Sequence, residues 1–148
     1  MNEMNVSRRQ IVSTRVFKAS RELLWKAWTS PDHVAKWWGP NGFTNEFYEF
    51  EFKVGGVWRF DMIGPNGARY PNRNVFAELV EPEKIVLNHV SEPKFLLTVV
   101  FEKVPEGTKL TWTQLFETVE DYDKVKGVAI PGNEENLDRL GKVATSLA

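Results

Sequence analysis

Four of the six tryptophans in this 148-residue chain fall between Trp25 and Trp38, and that crowding limits what the chain can fold into. Each indole has on the order of 150–250 Å² to bury. Two helix-start signals frame the cluster. Ser20 is placed to accept from an orphan N–H in the first turn of a helix over Arg21–Thr29. Leu24, Ala27 and Trp28 share one face of that helix at i, i+3 and i+4. Ser30 before Pro31 repeats the arrangement: serine caps, proline fills the first turn and Asp32 complements the helix dipole. Val34, Trp37 and Trp38 form the second apolar face, and Gly39-Pro40 ends it. Two short helices with this much aromatic surface must plug something concave.

The concave partner follows in the sequence. Gln10–Phe17 alternates loosely and suits a first strand. From Asn45 the period is two, with Tyr48, Phe50 and Phe52 against Glu49, Glu51 and Lys53, then Trp58, Phe60 and Met62 against Arg59 and Asp61. Gly55-Gly56 between these runs reads as a bend or bulge that lets a sheet curl. Gly64-Pro65-Asn66-Gly67 is a hairpin signal, its Asn-Gly pair suited to positive φ. Strands continue over about 72–80, 84–91, 95–104 and 108–116, broken by short proline- and glycine-bearing turns, as in an antiparallel meander. The tetrapeptide Gly-Pro-Asn-Gly at Gly39 and again at Gly64 reflects shared turn chemistry and not an internal repeat. Beyond, Val119–Val128 reads as one helical piece, interrupted near Pro131-Gly132. Asn133 then caps a helix with Leu137, Leu140, Ala144 and Leu147 on one stripe. This order predicts an α+β helix-grip fold, a curved antiparallel sheet wrapped around the C-terminal helix with two small helices closing one end. The expectation is one domain over 1–148, with residues 1–8 a flexible N-terminus. A helix does not completely fill a deeply curved sheet, so a cavity is expected between them.

Composition removes several function classes. Lys and Arg total 19 against 20 Asp and Glu, for a net charge of -1, and no long basic block offers a phosphate-binding surface. No apolar run is long enough to span a bilayer, and the N-terminus lacks the charged-then-apolar pattern of a secretory signal. There is no cysteine, hence no disulfide, thiolate metal site or cysteine nucleophile, which fits a cytoplasmic location.

Candidate chemistry is sparse. His33 lies on a polar side of its helix and reads as solvated. His89 shares strand parity with Ile85 and Leu87, so it points to the apolar face as a core histidine bonded to backbone or as a ligand contact. No metal site is expected, since the two histidines are far apart without Cys or an HExxH arrangement. Glu51 and Lys53 are explained by surface ion pairing. Gln114 shares parity with Leu110, Trp112 and Phe116, and a buried amide there must find a partner in the chain or in a ligand.

Phe17-Lys18-Ala19-Ser20-Arg21-Glu22-Leu23-Leu24-Trp25-Lys26-Ala27-Trp28-Thr29-Ser30-Pro31, followed by Trp37-Trp38-Gly39-Pro40, resembles the signature of Hsp90-ATPase-activator-homologue-like domains. These belong to the START-like, or polyketide cyclase-like, helix-grip superfamily. Glu51–Phe60 is similar to that family's acid-x-base-x-Gly-Gly-x-aromatic element, Phe76–Ile85 to its next hairpin and Leu137-Asp138-Arg139-Leu140 to its terminal-helix motif. Where members often carry Gly-Trp before the terminal helix, this chain has Gly132-Asn133. The resemblance implies a cavity for a hydrophobic or aromatic small molecule (lipid-, polyketide- or flavonoid-like), with no cofactor or metal. The expected lining is Trp28, Phe60, Met62, Phe76, His89, Phe101, Trp112 and Gln114. Two alternatives stand beside binding. One is a cyclase/aromatase using His89 with Tyr48 or Tyr70 as acid–base groups. The other is a chaperone-linked interaction module exposing aromatics around Trp37-Trp38 and Phe43.

Overall fold

The computed structural model describes residues 8–148, so most of the expected N-terminal extension lies outside the described residues. In chain order the elements are β1 (Gln10–Phe17), α1 (Arg21–Lys26), α2 (Pro31–Trp37), β2 (Thr44–Phe50), β3 (Val57–Ile63), β4 (Arg69–Val80), β5 (Lys84–His89), β6 (Phe95–Val104), β7 (Gly107–Phe116) and α3 (Val119–Ser146). The strands make one seven-stranded sheet in the order β1-β7-β6-β5-β4-β3-β2, antiparallel at every pairing. It curves around α3, and the architecture is the α+β helix-grip fold.

Register explains why one face of the sheet is the core. Ile11, Gln114, Leu97, Leu87 and Phe76 stand abreast across five strands. The neighbouring row is Phe116, Phe95, His89, Asn74, Trp58 and Phe50. Residues paired across antiparallel strands point to the same face, so each row is continuous. The two serines cap as expected: Ser20 Oγ accepts from Leu23 N at 3.2 Å and Ser30 Oγ from His33 N at 3.3 Å. Trp25, Trp28 and Trp37 are buried beneath these helices. Trp28 meets Trp37 edge-on at 4.8 Å, and the Trp37 Nε1 donates to Ala27 O at 3.0 Å, tying α2 to α1.

The structure departs from the sequence reading in four places. The first helix stops at Lys26 and unwinds through tight turns, with Trp28 N donating to Trp25 O and Thr29 N to Lys26 O. In β2 the alternation breaks at a bulge between Phe47 and Glu49. Phe47, Phe50 and Phe52 therefore pack on the core, while Tyr48 is turned out to solvent at 43% exposure. The hairpin at Gly64–Gly67 uses positive φ only at Gly67, and Asn66 instead accepts from Ala68 N through its side chain at 3.0 Å.

The fourth departure concerns the terminal helix, which is unbroken for 28 residues with Pro131 inside it. Pro131 cannot donate to the Gly127 carbonyl. Both residues lie on the exposed side, where that carbonyl can meet solvent, so the helix survives. Asn133 is accordingly a helix-interior residue and not a cap. Gly56 does let the chain curl: a Cβ there would sit 2.0 Å from Glu51 O, a distance no side chain tolerates. The two Gly-Pro-Asn-Gly loops lie side by side, with Gly42 against Pro65 and Gly64 against the Phe43 ring.

Candidate functional site

A cavity of about 510 Å³ opens between the concave face of the sheet and the first half of α3. Trp38, Pro40 and Phe43 from the α2–β2 segment form one wall, and Met62, Tyr70 and Asn72 from β3 and β4 form the next. His89, Pro93 and Phe95 close a third side, Trp112 and Gln114 supply the floor, and Val125, Val128, Ala129, Asn133 and Asn136 hang over from α3.

The wall carrying Trp38 is fixed by the C-terminal helix. Asn136 Oδ1 accepts from Gly39 N at 2.8 Å and from Arg139 at 3.3 Å. The Arg139 guanidinium also donates to the carbonyls of Trp37 and Gly39 and to Asn41 Oδ1. Asn41 N in turn donates to Glu135 Oε1 at 2.9 Å. Charge-assisted bonds of this kind are the stronger ones, so the Gly39–Asn41 loop is held from three positions on α3.

The polar groups of the cavity are few and mostly buried. His89 is 5% exposed, stacks on Phe95 at 4.4 Å and lies between two acceptors. Its Nδ1 is 2.8 Å from Pro93 O, a carbonyl that can only accept, so Nδ1 carries a proton. Its Nε2 is 2.7 Å from Asn72 Oδ1 and 3.4 Å from Ser91 Oγ. The bond to the Pro93 carbonyl favours a charged ring. Burial opposes the charge and is the larger effect, so the pKa lies below the usual 6.5. Gln114 Oε1 accepts from Asn133 Nδ2 at 3.1 Å across the floor. Lys124 and Glu92 stand at the rim. Among the described residues no group of three or more His, Asp or Glu is placed to hold a metal ion, and no helix is long and apolar enough to cross a membrane.

Over residues 18–145 the sequence matches the family described as Activator of Hsp90 ATPase homolog 1-like protein. The chain belongs to this family. Solved structures similar to this AHSA1-like chain include a protein from Rhodobacter sphaeroides at 26% identity. That match has a TM-score of 0.85 and covers 97% of this chain and 96% of that one. A protein from Nitrosomonas europaea superposes with a TM-score of 0.86 at 15% identity, covering 96% and 97% of the two chains. An AHSA1-like protein from Aeromonas hydrophila gives a TM-score of 0.72 at 19% identity over 93% of each chain. No curated protein matches the sequence.

Within the AHSA1-like fold, the residues expected to line the cavity divide into two groups. Met62, His89, Trp112 and Gln114 lie on its surface. Trp28, Phe60, Phe76 and Phe101 do not; each is at most 1% exposed and enclosed by other rings. Trp28 is boxed in by Trp37, Trp38 and Trp112. Phe60 stacks on Trp58 at 4.9 Å, Phe76 meets Phe52 at 5.1 Å and Phe101 meets Trp25 at 6.1 Å. Strand parity turns Phe60, Phe76 and Phe101 inward and helical spacing turns Trp28 inward, but they stand where α1, α2 or the β2 bulge already covers the sheet. Tyr48 is on the opposite face, bonded to Asp61 Oδ2 at 2.8 Å, whereas Tyr70 shares the cavity with His89. Trp37 is buried and Trp38 lines the cavity, so this pair forms no exposed docking patch.

Sequence reasoning found the Gln114 amide but missed the inward-facing asparagines. Asn72 and Asn74 share strand parity with Phe76 on the inner face, and Asn74 is fully buried without a hydrogen bond at either amide atom. Asn133 and Asn136 flank Leu137 and Leu140 on the buried stripe of α3. Polar residues in phase with an apolar face were the available signal.

Proposed function

We propose that this chain binds a hydrophobic small molecule, lipid-, polyketide- or flavonoid-like, in the cavity between sheet and terminal helix. The supporting observation is the recess itself. Its volume of about 510 Å³ falls in the range of about 300–1,000 Å³ usual for small-molecule sites, and its walls are mostly apolar with a few buried polar groups. On this reading Met62 and Trp112 supply apolar contact and Gln114 orients polar groups of the ligand, while His89, bonded to the chain at both nitrogens, fixes the Asn72 and Pro93 sides of the wall. Trp28, Phe60, Phe76 and Phe101 act from behind, setting the shape of the surface. No cofactor or metal takes part. The test is a titration with aromatic, flavonoid-like and fatty-acid libraries followed by amide chemical shifts. Shifts confined to the cavity residues are expected, and a protein indifferent to every compound class would sink the reading.

A cyclase/aromatase-type reaction is the second reading, favoured by the presence of Tyr70 and His89 on one cavity. Both ring nitrogens of His89 already face chain partners, which favours a positioning role over proton transfer. If His89→Ala abolished turnover of a bound polyketide while leaving its affinity intact, the enzyme reading would displace the first.

A further inference from the structure

The cavity floor carries more free hydrogen-bond donors than acceptors. Asn136 lines the cavity and is 6% exposed. Its orientation is unambiguous, because Oδ1 faces the Gly39 N–H and the Arg139 guanidinium, neither of which can accept. The Asn136 Nδ2 group therefore remains, and it makes no hydrogen bond among the described residues. Gln114 and Asn133, 9% and 6% exposed, bond to one another and leave one further NH₂ and one oxygen. Turning both amides together exchanges which residue gives which, but the remaining set is the same. Two donor groups thus stand against one acceptor, on three cavity-lining side chains.

We infer that the cavity selects apolar molecules bearing an accepting oxygen, a ketone or ester carbonyl, held from Asn136 Nδ2 and the Gln114–Asn133 amide pair. The inference rests on the small-molecule reading above and adds the chemical class. A buried donor gains its bond only from a ligand that supplies an acceptor, and a hydrocarbon of equal shape leaves it unmet. The sign is diagnostic. A carbonyl loses more hydration than a hydrocarbon on entering an apolar recess, so without a waiting donor the ketone would bind more weakly.

The decisive experiment compares 2-acetylnaphthalene with its near-isostere 2-isopropylnaphthalene by calorimetry and amide shifts. It uses the full chain and the variants Asn136→Asp and Gln114→Glu. The Asn136→Asp carboxylate keeps an acceptor for Gly39 and Arg139, so the loop stays held while the donor is lost. The Gln114→Glu carboxylate likewise keeps the bond from Asn133. The unaltered protein should prefer the ketone by at least about tenfold, or about 1.4 kcal/mol. In each variant the ketone-to-hydrocarbon ratio should fall to one or below. A ratio of one or less in the unaltered protein overturns the inference while leaving hydrophobic binding standing. A tenfold preference that survives in both variants overturns the assignment to these amides. Binding of neither probe overturns the inference, while the small-molecule reading then falls only if the wider library titration also finds no binder. Should one variant fail to fold, the other and the unaltered protein still decide.

Discussion

The two halves of α3 differ more than a single helix usually does. From Gly132 onward the helix contributes six buried residues, Gly132, Asn133, Asn136, Leu137, Leu140 and Ala144, whereas nothing from Val119 to Pro131 is buried. The second half packs against α1, α2 and β1 and carries Arg139, which holds the Gly39 loop. The first half spans the cavity and presents Val125, Val128 and Ala129 to it, with Val128 itself 64% exposed. One element therefore serves as anchor at one end and cavity wall at the other. Stability should concentrate in the anchor, because burial of apolar surface is the main favourable term and the wall has little of it.

Truncating one apolar side chain in each half of the helix tests this division most severely. Leu140→Ala should cost about 2–5 kcal/mol in urea unfolding, whereas Val128→Ala should stay within about 0.5 kcal/mol. Comparable losses from both would abolish the distinction. Next in size is Arg139→Ala, which removes charge-assisted bonds to Gly39, Asn41 and the Trp37 carbonyl. A loss of about 1.5–3 kcal/mol is expected, together with faster hydrogen exchange at the Gly39 amide. Unchanged exchange there would mean that the loop is held by its aromatic packing alone.

Pro131→Ala restores an N–H opposite the Gly127 carbonyl and should stabilise the chain by about 1 kcal/mol or more. Added exchange protection should appear over residues 125–130 and not over 137–144. Uniform protection would indicate that the halves already open together. The smallest effect belongs to His89 beneath the wall. Its folded pKa is lowered from 6.5 by burial, so the unfolded chain binds the proton more readily. Its contribution to stability is full above about pH 6.5, declines as pH falls through that value, and levels off only below the folded pKa. Urea midpoints taken between pH 7.5 and 5.5 should fall, and His89→Gln should flatten that slope.

Much of this architecture was legible because it rests on local chemistry. Ser20, Ser30 and Pro31 mark their helix starts through groups within one turn, and Ile85, Leu87 and His89 declare a face by parity. The strand count and the α+β class followed. Errors arose where distant packing overrode a local rule. Alternation with Phe50 and Phe52 turns Tyr48 inward, but the bulge after Phe47 inverts the phase. Pro131-Gly132 reads as a stop, yet Asn133, Asn136 and Leu137 are in phase with the core, and their packing carries the helix across it. For the cavity, strand parity turns Phe60, Phe76 and Phe101 inward and helical spacing turns Trp28 inward, without revealing which inward positions lie under α1, α2 or the bulge.

By itself, then, the sequence determined the helix-grip fold, the family and the inward faces, since caps, periods and turns act over a few residues. Only the tertiary structure decided which inward residues bound empty space and which amides are left with free donors. Those properties depend on the meeting of β7, the Gly39 loop and the middle of α3, segments separated by up to 97 positions in the Gly39–Asn136 bond. No local pattern records a contact of that span.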